Sequence, residues 1–291
     1  MMLKRVLLVI LSIVTLLSAG VFDDRYPSAR ASGMSNAFVA VANDAWAPWY
    51  NPAGLAQIET YQAGLAYQKP FNYSFFSSVF GSAVIPLQQF DPSYGAASLS
   101  VENFGVRYKG EDVSKEYVAA LSHGFYLLND IHTSLSIGYS LKYYYWDLGE
   151  SVGGTDLGAS GAFGVDVGMQ ASIYKRTYIG MYLYNLNAPT IGVESERELP
   201  RRIVIGAAYK PYTGLTTSLS MNKALGFDTQ YEAGFEFQLI EMLALRLGAS
   251  TQPSRFSAGA GINYQGFRLD YSFRNHPTLS ETHSFSITYE M

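Results

Sequence analysis

From Ile131 to Trp146 the chain changes character at almost every step. Ile131, Leu135, Ile137, Tyr139, Leu141, Tyr143 and Tyr145 fall on one side of a two-residue period. His132, Ser134, Ser136, Gly138, Ser140, Lys142 and Trp146 fall on the other. Successive side chains of a strand point to opposite faces, so this spacing predicts a sheet that is apolar on one side and polar on the other. The pattern returns along the chain. Phe163, Val165, Val167, Met169, Ala171 and Ile173 alternate with Gly164, Asp166, Gly168, Gln170 and Ser172. Tyr231, Ala233, Phe235, Phe237 and Leu239 alternate with Glu232, Gly234, Glu236 and Gln238. Leu243, Leu245 and Leu247 alternate with Ala244, Arg246 and Gly248, and Phe267, Leu269, Tyr271 and Phe273 with Arg268, Asp270, Ser272 and Arg274.

Fourteen such segments are expected, over 59–68, 74–86, 95–108, 115–127, 131–146, 159–174, 177–186, 200–210, 214–222, 229–239, 243–251, 255–264, 267–274 and 282–291. The third changes phase near Asn103-Phe104, which predicts a bulge there. The connections alternate in length. Leu128–Asp130, Lys175-Arg176, Pro211–Thr213, Ile240–Met242 and Gln265-Gly266 are tight, with Leu87–Tyr94 the exception on that side. Lys109–Ser114, Asp147–Gly158, Leu186–Leu199, Lys223–Asp228 and Asn275–Glu281 are longer. Short turns at one end and longer loops at the other are the habit of outer-membrane barrels. A soluble sandwich has no reason to alternate in this way.

No stretch after the N-terminus holds 18 consecutive apolar residues, so helical membrane spans are not expected. A barrel needs only every second residue to be apolar, and the high content of Tyr (23), Phe (17) and Gly (27), with 15% charged residues, suits one. Residues 1–20 read as a secretory signal: Lys4 and Arg5, an apolar run from Val6 to Leu17, and small residues Ser18-Ala19-Gly20 before Val21. Losing Lys4 and Arg5 leaves 18 of the 20 basic residues against 24 acidic ones, a net charge of −6. That balance argues against a nucleic-acid partner. There is no cysteine, hence no disulfide framework and no thiolate metal site.

Between the signal and the first strand lie residues 21–57, and residues 58–291 would form the barrel. Asp44 is placed to cap a short helix over Ala45–Trp49. Asn51-Pro52 starts a turn, and Gly54 permits a positive φ. The segment carries Arg30-x-x-Gly33-Met34, then Ala37-Phe38-Val39-Ala40-Val41-Ala42, then Asn43-Asp44, then Trp49-Tyr50-Asn51-Pro52-Ala53-Gly54-Leu55. This ordered set resembles the N-terminal hatch of the FadL-like outer-membrane barrels, closest to their PorV/PorQ-type branch. The resemblance covers the hatch far better than the strands. It implies a fourteen-stranded antiparallel transmembrane barrel in the outer membrane of a Gram-negative-type bacterium, with residues 21–57 as a plug. It also implies assembly by the barrel assembly machinery, which reads the last strand. Here that strand presents Phe285, Ile287, Tyr289 and Met291; the terminal Met291 departs from the usual aromatic.

In a closed membrane barrel the apolar set must face lipid, leaving Gly, Ser and the charges inside. The interior would carry both signs: Lys142, Asp166, Arg202, Glu232, Glu236, Arg246, Arg268, Asp270 and Arg274. If the turn Ile240–Met242 centres on Glu241, Glu236 lies directly across from Arg246, as a structural pair. Fourteen strands enclose more space than side chains alone fill, so the lumen must hold water or a plug. His123, His132, His276 and His283 have no metal-ligand spacing. No Gly-x-Ser-x-Gly is present. The glycines between 149 and 164 lack the Lys-Ser/Thr ending of a phosphate loop. Neither an enzyme nor a cofactor is expected. The charges of 194–202 read as a solvated outer loop, or as a contact for lipopolysaccharide or a partner protein.

The resemblance implies two functions. FadL-type members are passive channels for long-chain fatty acids and other hydrophobic molecules. PorV/PorQ-type members are linked to type IX secretion and handle secreted proteins. FadL-type channels owe much of their length to long outer loops that form a capture groove. Here the longest outer loop, Leu186–Leu199, is short and charged, so the secretion branch is the expected one, with secreted proteins or secretion components as partners and a hydrophobic ligand as the alternative.

Overall fold

Each barrel strand pairs with the next barrel strand along the chain, and the last returns to the first. The structure is a computed structural model that describes residue 22, residues 25–151 and residues 154–291. The expected signal segment, 1–20, lies outside the described residues. Among the described residues, sixteen strands occur in chain order: β1 (Gln62–Lys69), β2 (Phe76–Pro86), β3 (Ala96–Tyr108), β4 (Glu111–Asn129), β5 (Thr133–Asp147), β6 (Ala159–Ile173), β7 (Thr177–Tyr184), β8 (Thr190–Ile191), β9 (Arg197–Glu198), β10 (Arg202–Tyr209), β11 (Leu215–Ala224), β12 (Gln230–Ile240), β13 (Leu243–Ser250), β14 (Arg255–Tyr264), β15 (Phe267–Arg274) and β16 (Thr282–Glu290). Fourteen of them close into an antiparallel barrel, and β8 and β9 pair separately. Leu65 of β1 sits opposite Ile287 of β16 at the closing seam. Closure leaves no strand edge in lipid, where an unpaired N–H or C=O would cost several kcal/mol, on the order of the transfer penalty for a polar group.

The two faces differ as the alternation requires. Leu121 and Ser122, adjacent on β4, are 61% and 4% exposed, respectively. The outer face carries large apolar side chains from every strand of the barrel. The inner face is lined by Ser, Gly and charged residues, so the barrel is built inside out relative to a soluble one. An apolar exterior on a closed barrel defines a membrane-spanning protein of the outer-membrane type.

Two details correct the sequence reading. Asn103 and Phe104 continue the alternation without a break, Phe104 facing inward opposite the buried Ser78. The irregularity lies further on, at Val106/Arg107. An aromatic residue on the polar face imitated a phase change. The loop expected over Lys109–Ser114 is instead a two-residue turn, Lys109-Gly110, with φ of 52° and 93°. β3 and β4 therefore extend past the neighbouring strands as a hairpin.

β7 is shorter than β6 and pairs only with Val167–Ile173. Beyond it, the following segment takes up part of the β6 edge. Leu186 N donates to Val165 O (2.8 Å), and the Asn187 side chain accepts from Val165 N and donates to Phe163 O. The charged loop here is therefore not wholly solvated. Ile191 and Leu199 are buried in the core cluster, while Glu194, Glu196, Arg197 and Glu198 are exposed.

Candidate functional site: the N-terminal segment within the lumen

Residues 26–58 lie inside the barrel and are almost all buried. They form α1 (Ala29–Gly33), α2 (Ala47–Tyr50) and a 3-10 turn over Pro52–Gln57. Ser28 starts α1, its Oγ accepting from Ala31 N. Asp44 does not cap a helix over Ala45–Trp49 as expected. Its Oδ1 accepts from Trp46 N (3.1 Å) in a tight turn, and the helix begins later, at Ala47. The other carboxylate oxygen is thereby left for Arg30, 3.0 Å away. Such short helices would not persist alone, so the wall must hold them.

The motif Trp49–Leu55 is the densest part of that hold. Asn51 is wholly buried and uses its side chain three ways. Nδ2 donates to Val39 O (2.8 Å) within the segment and to Met169 O (2.9 Å) on β6; Oδ1 accepts from Ala53 N (3.2 Å). Pro52 follows at the first turn, where its missing N–H costs nothing. The turn rests on a floor of three paired glycines: Gly124 opposite Gly138, and Gly138 opposite Gly168. A Cβ on Gly138 would lie 2.3 Å from the carbonyl carbon of Pro52, and one on Gly168 would lie 2.2 Å from Asn51 Oδ1. Backbone can reach the wall only because those side chains are absent. Trp49 and Tyr50 pack into the apolar cluster above, with Leu55 and Phe80. Tyr184 donates to Trp49 O (2.5 Å), and Gln170 donates to Ala40 O (2.6 Å) while accepting from Gln57.

Charges form three groups around the segment. Toward the short turns, Arg30 binds Glu236 through Nε and Nη2, both at 2.8 Å, and Asp44 through Nη1. Arg246 bridges Glu236 and Asp270, both at 2.7 Å, and Arg268 approaches Asp44 at 3.6 Å. The register expected from the turn is the one found, Glu236 opposite Arg246. Toward the long loops, Lys142 meets Asp166 at 2.6 Å, and Asp166 also accepts from Tyr182 OH and Asn185 N. Arg25 pairs with Glu102 (3.0 Å) and Glu116 (2.6 Å), its guanidinium 4.6 Å from the centre of the Phe104 ring. Arg202 donates to Tyr26 OH and lies over the Tyr184 ring. Glu232 accepts from Ser220 Oγ on the neighbouring strand. Arg274 borders an outer cavity.

All nine charged residues expected inside thus occupy inward-facing positions, but they do not form one site. Glu236, Arg246, Asp270 and Arg268 gather at one end. Lys142, Asp166 and Arg202 stand nearer the other. Sequence reasoning missed the partners that the N-terminal segment brings: Arg25, Arg30 and Asp44. It also missed Glu102 and Glu116 of β3 and β4. Their signal was present, since charged residues in an apolar, Ala-rich segment ask for partners.

Cavities lie on both sides of the buried segment. On the long-loop side, one of about 150 Å3 is lined by Trp49, Tyr144, Tyr184, Lys142 and Glu102. A second, of about 280 Å3, is lined by Phe22, Phe71, Phe76 and Phe104 with Arg274. On the short-turn side a cavity of about 540 Å3 is bordered by Arg30, Lys210 and Arg268. The outer pair offers aromatic faces with a few fixed charges. That arrangement can hold a small apolar body and orient a polar edge.

A closed barrel of fourteen strands with an apolar exterior and a chain segment folded into its lumen is the architecture of the FadL-type outer-membrane barrels. Solved structures of that type align with the chain over nearly its whole length. A Pseudomonas aeruginosa FadL homologue matches with a TM-score of 0.60 at 12% identity, over 92% of this chain and 99% of the other. The Ralstonia pickettii toluene transporter TbuX matches with a TM-score of 0.61 at 11% identity, over 93% and 100%. The Pseudomonas putida toluene transporter TodX matches with a TM-score of 0.59 at 12% identity, over 94% and 99%. At these identities the likeness is one of fold. No protein-family model matches the sequence, and no curated protein matches it.

Proposed function

We propose that this protein is a passive outer-membrane channel for small hydrophobic molecules, with residues 21–57 as its hatch. The observation that carries this reading is the aromatic cavity pair on the long-loop side, one member of which lies directly against the buried segment. Trp49, in the segment's second helix, is itself part of the lining. A molecule held there would touch the part of the chain that must yield for it to pass. The likeness of fold to toluene transporters supports this reading over the secretion role expected from the sequence.

The test is uptake by proteoliposomes or by cells expressing the protein. Radiolabelled toluene and a long-chain fatty acid should enter faster than through membranes lacking it. Trp49→Ala should change the rate, because it alters both the cavity and the segment. No difference in entry for either compound would overturn the reading.

A second reading rests on the ordered hatch motif from Arg30 to Leu55, which resembles the PorV/PorQ-type branch. Under it the barrel serves export of secreted proteins to the surface. Deleting the gene would then block secretion and leave hydrocarbon uptake unchanged.

A further inference from the structure

A row of inward-facing positions crosses the short-turn end of the wall. Thr216 lies opposite Glu236, and Glu236 opposite Arg246. In the same row, one step past the pair Tyr209–Thr177, Lys210 comes opposite Arg176. Their backbones are joined there, Lys210 N donating to Arg176 O at 2.8 Å. The alternation of β10, with Val204 and Ala208 buried inward, places Lys210 on the inner side. Two cations thus occupy opposing backbone positions just past the end of a strand pair, and like charges so placed oppose each other unless something neutral or negative intervenes.

Among the described residues, no carboxylate pairs with either cation. Glu236, Asp44 and Asp270 are engaged by Arg30, Arg246 and Arg268, three carboxylates for three guanidinium groups. That network balances. Lys175, Arg176 and Lys210 are left over, and among the described residues none of the three forms an ion pair with a carboxylate. Lys210 instead lies 4.4 Å from the centre of the Tyr178 ring. Burial, and then the nearby Arg30, push its pKa below the ordinary lysine value, while Glu236 pulls the other way. All three surplus cations border the cavity of about 540 Å3 on the short-turn side, together with Tyr212, Arg268 and the carboxylate of Glu236, which Arg30 and Arg246 already neutralise. That volume lies within the range of small-ligand sites, roughly 300–1,000 Å3.

We propose that this periplasmic cavity binds a phosphate group. Three cations without a carboxylate partner, Lys175 and Arg176 exposed and Lys210 half-buried, favour a ligand with more than one negative charge. A phosphate monoester carries about −1.5 to −2 at neutral pH and presents three strong acceptor oxygens. One phosphate can accept from the Arg176 fork and the Lys210 ammonium at once, and so relieve their mutual repulsion. A single carboxylate would leave most of the surplus in place. The group has two sources: a free phosphorylated compound, or the headgroup of a phospholipid in the inner leaflet. The site does not depend on what crosses the barrel.

The experiment uses the full chain in a neutral, phosphate-free detergent, with inorganic pyrophosphate as the probe and calorimetry as the readout. Saturable binding at one site is expected. The double variant Arg176→Ala with Lys210→Ala should weaken it about tenfold or more, the loss expected for removing a charge-assisted hydrogen bond. Lys210→Arg should retain it, and Lys223→Ala, at the opposite end of the barrel, should leave it unchanged. Because both residues lie outside the strands, Arg176 in a turn and Lys210 just past Tyr209, the double variant's barrel should assemble, which its mobility on unheated gels verifies. Lys210→Met, which keeps the apolar stem, should give an intermediate loss. A second arm adds phosphatidylglycerol to the micelles. Competition with pyrophosphate supports the site and assigns it to a headgroup; absence of competition supports the site and assigns it to a free compound. Failure of pyrophosphate to bind, or equal affinity in the double variant and the natural protein, would overturn the proposal.

Discussion

Arg30 and Glu236 are 206 positions apart in sequence and meet as a two-pronged ion pair, each prong 2.8 Å long, between the inner segment and the wall. Glu236 also accepts from Arg246, so one carboxylate holds two guanidinium groups that would otherwise repel. Glu236→Gln should therefore be costly, by up to about 3–5 kcal/mol, because it leaves two carboxylates, Asp44 and Asp270, for three guanidinium groups. The readout is the temperature at which the compact, unheated gel mobility is lost. The outer hairpin offers a contrast. Arg107 pairs with Asp112 while its side chain remains 67% exposed, and Arg107→Ala should cost at most about 1 kcal/mol. Equal shifts in the two variants would show that Glu236 does not anchor the segment.

Asn51 allows a sharper comparison. Its amide nitrogen serves two carbonyl oxygens, so the position requires a donor. Asn51→Ala would leave those acceptors unpaired, at roughly 1–3 kcal/mol for a buried polar group. Asn51→Asp keeps the shape but turns a carboxylate oxygen toward the same carbonyls. The aspartate variant should thus be the less stable of the two, measured by thermal unfolding in detergent. The reverse order would mean that shape, not hydrogen bonding, selects this residue.

On the outer face the test is one of solvent. Leu141, near the middle of β5, points to lipid. Leu141→Arg should lower the yield of assembled barrel, because arginine at the bilayer midplane costs about 2–4 kcal/mol. Leu141→Phe should assemble normally. Quantifying the heat-modifiable fraction for each would decide, and normal assembly of the arginine variant would displace Leu141 from the lipid-facing band.

The barrel was legible because each strand separates lipid from lumen, and that separation is written in adjacent residues such as Leu121 and Ser122. The Glu236–Arg246 contact was legible too, since a tight turn fixes register over a few residues. What joins the segment to the wall was not. Arg30 meets Glu236, and Arg25 meets Glu116, through the closed lumen, and no local period connects them. Gly138 and Gly168 read as generic small residues on a polar face, and nothing local marks Gly124; only their pairing across three strands makes them a floor. Phe104 misled for a related reason. It is an inward aromatic because the segment gives it a partner, Arg25, that the strand itself does not reveal.

Those glycines set the last prediction. With the segment seated, the lumen between the outer and inner cavities is filled by a buried apolar cluster that includes Phe38, Trp46, Tyr50 and Leu55. The intact protein should therefore pass little current in a planar bilayer. Deleting residues 21–57 removes that cluster, and fourteen strands without it enclose more space than their own side chains fill. Large, steady conductance is expected. A wedge should act between these limits. Gly138→Val would place its Cβ on the Pro52–Ala53 peptide, 2.3–2.4 Å from atoms that cannot retreat without lifting the turn. Gly105→Ala is the matched control, since its Cβ would find its nearest neighbour, Ser77 Oγ, at 3.6 Å. The wedge should produce flickering openings, because the segment remains tethered to β1 but loses its seat. The control should stay closed. Single-channel records from the four proteins separate the outcomes: if the intact and deleted forms conduct alike, the segment does not close the barrel, and a channel gated by residues 21–57 is ruled out.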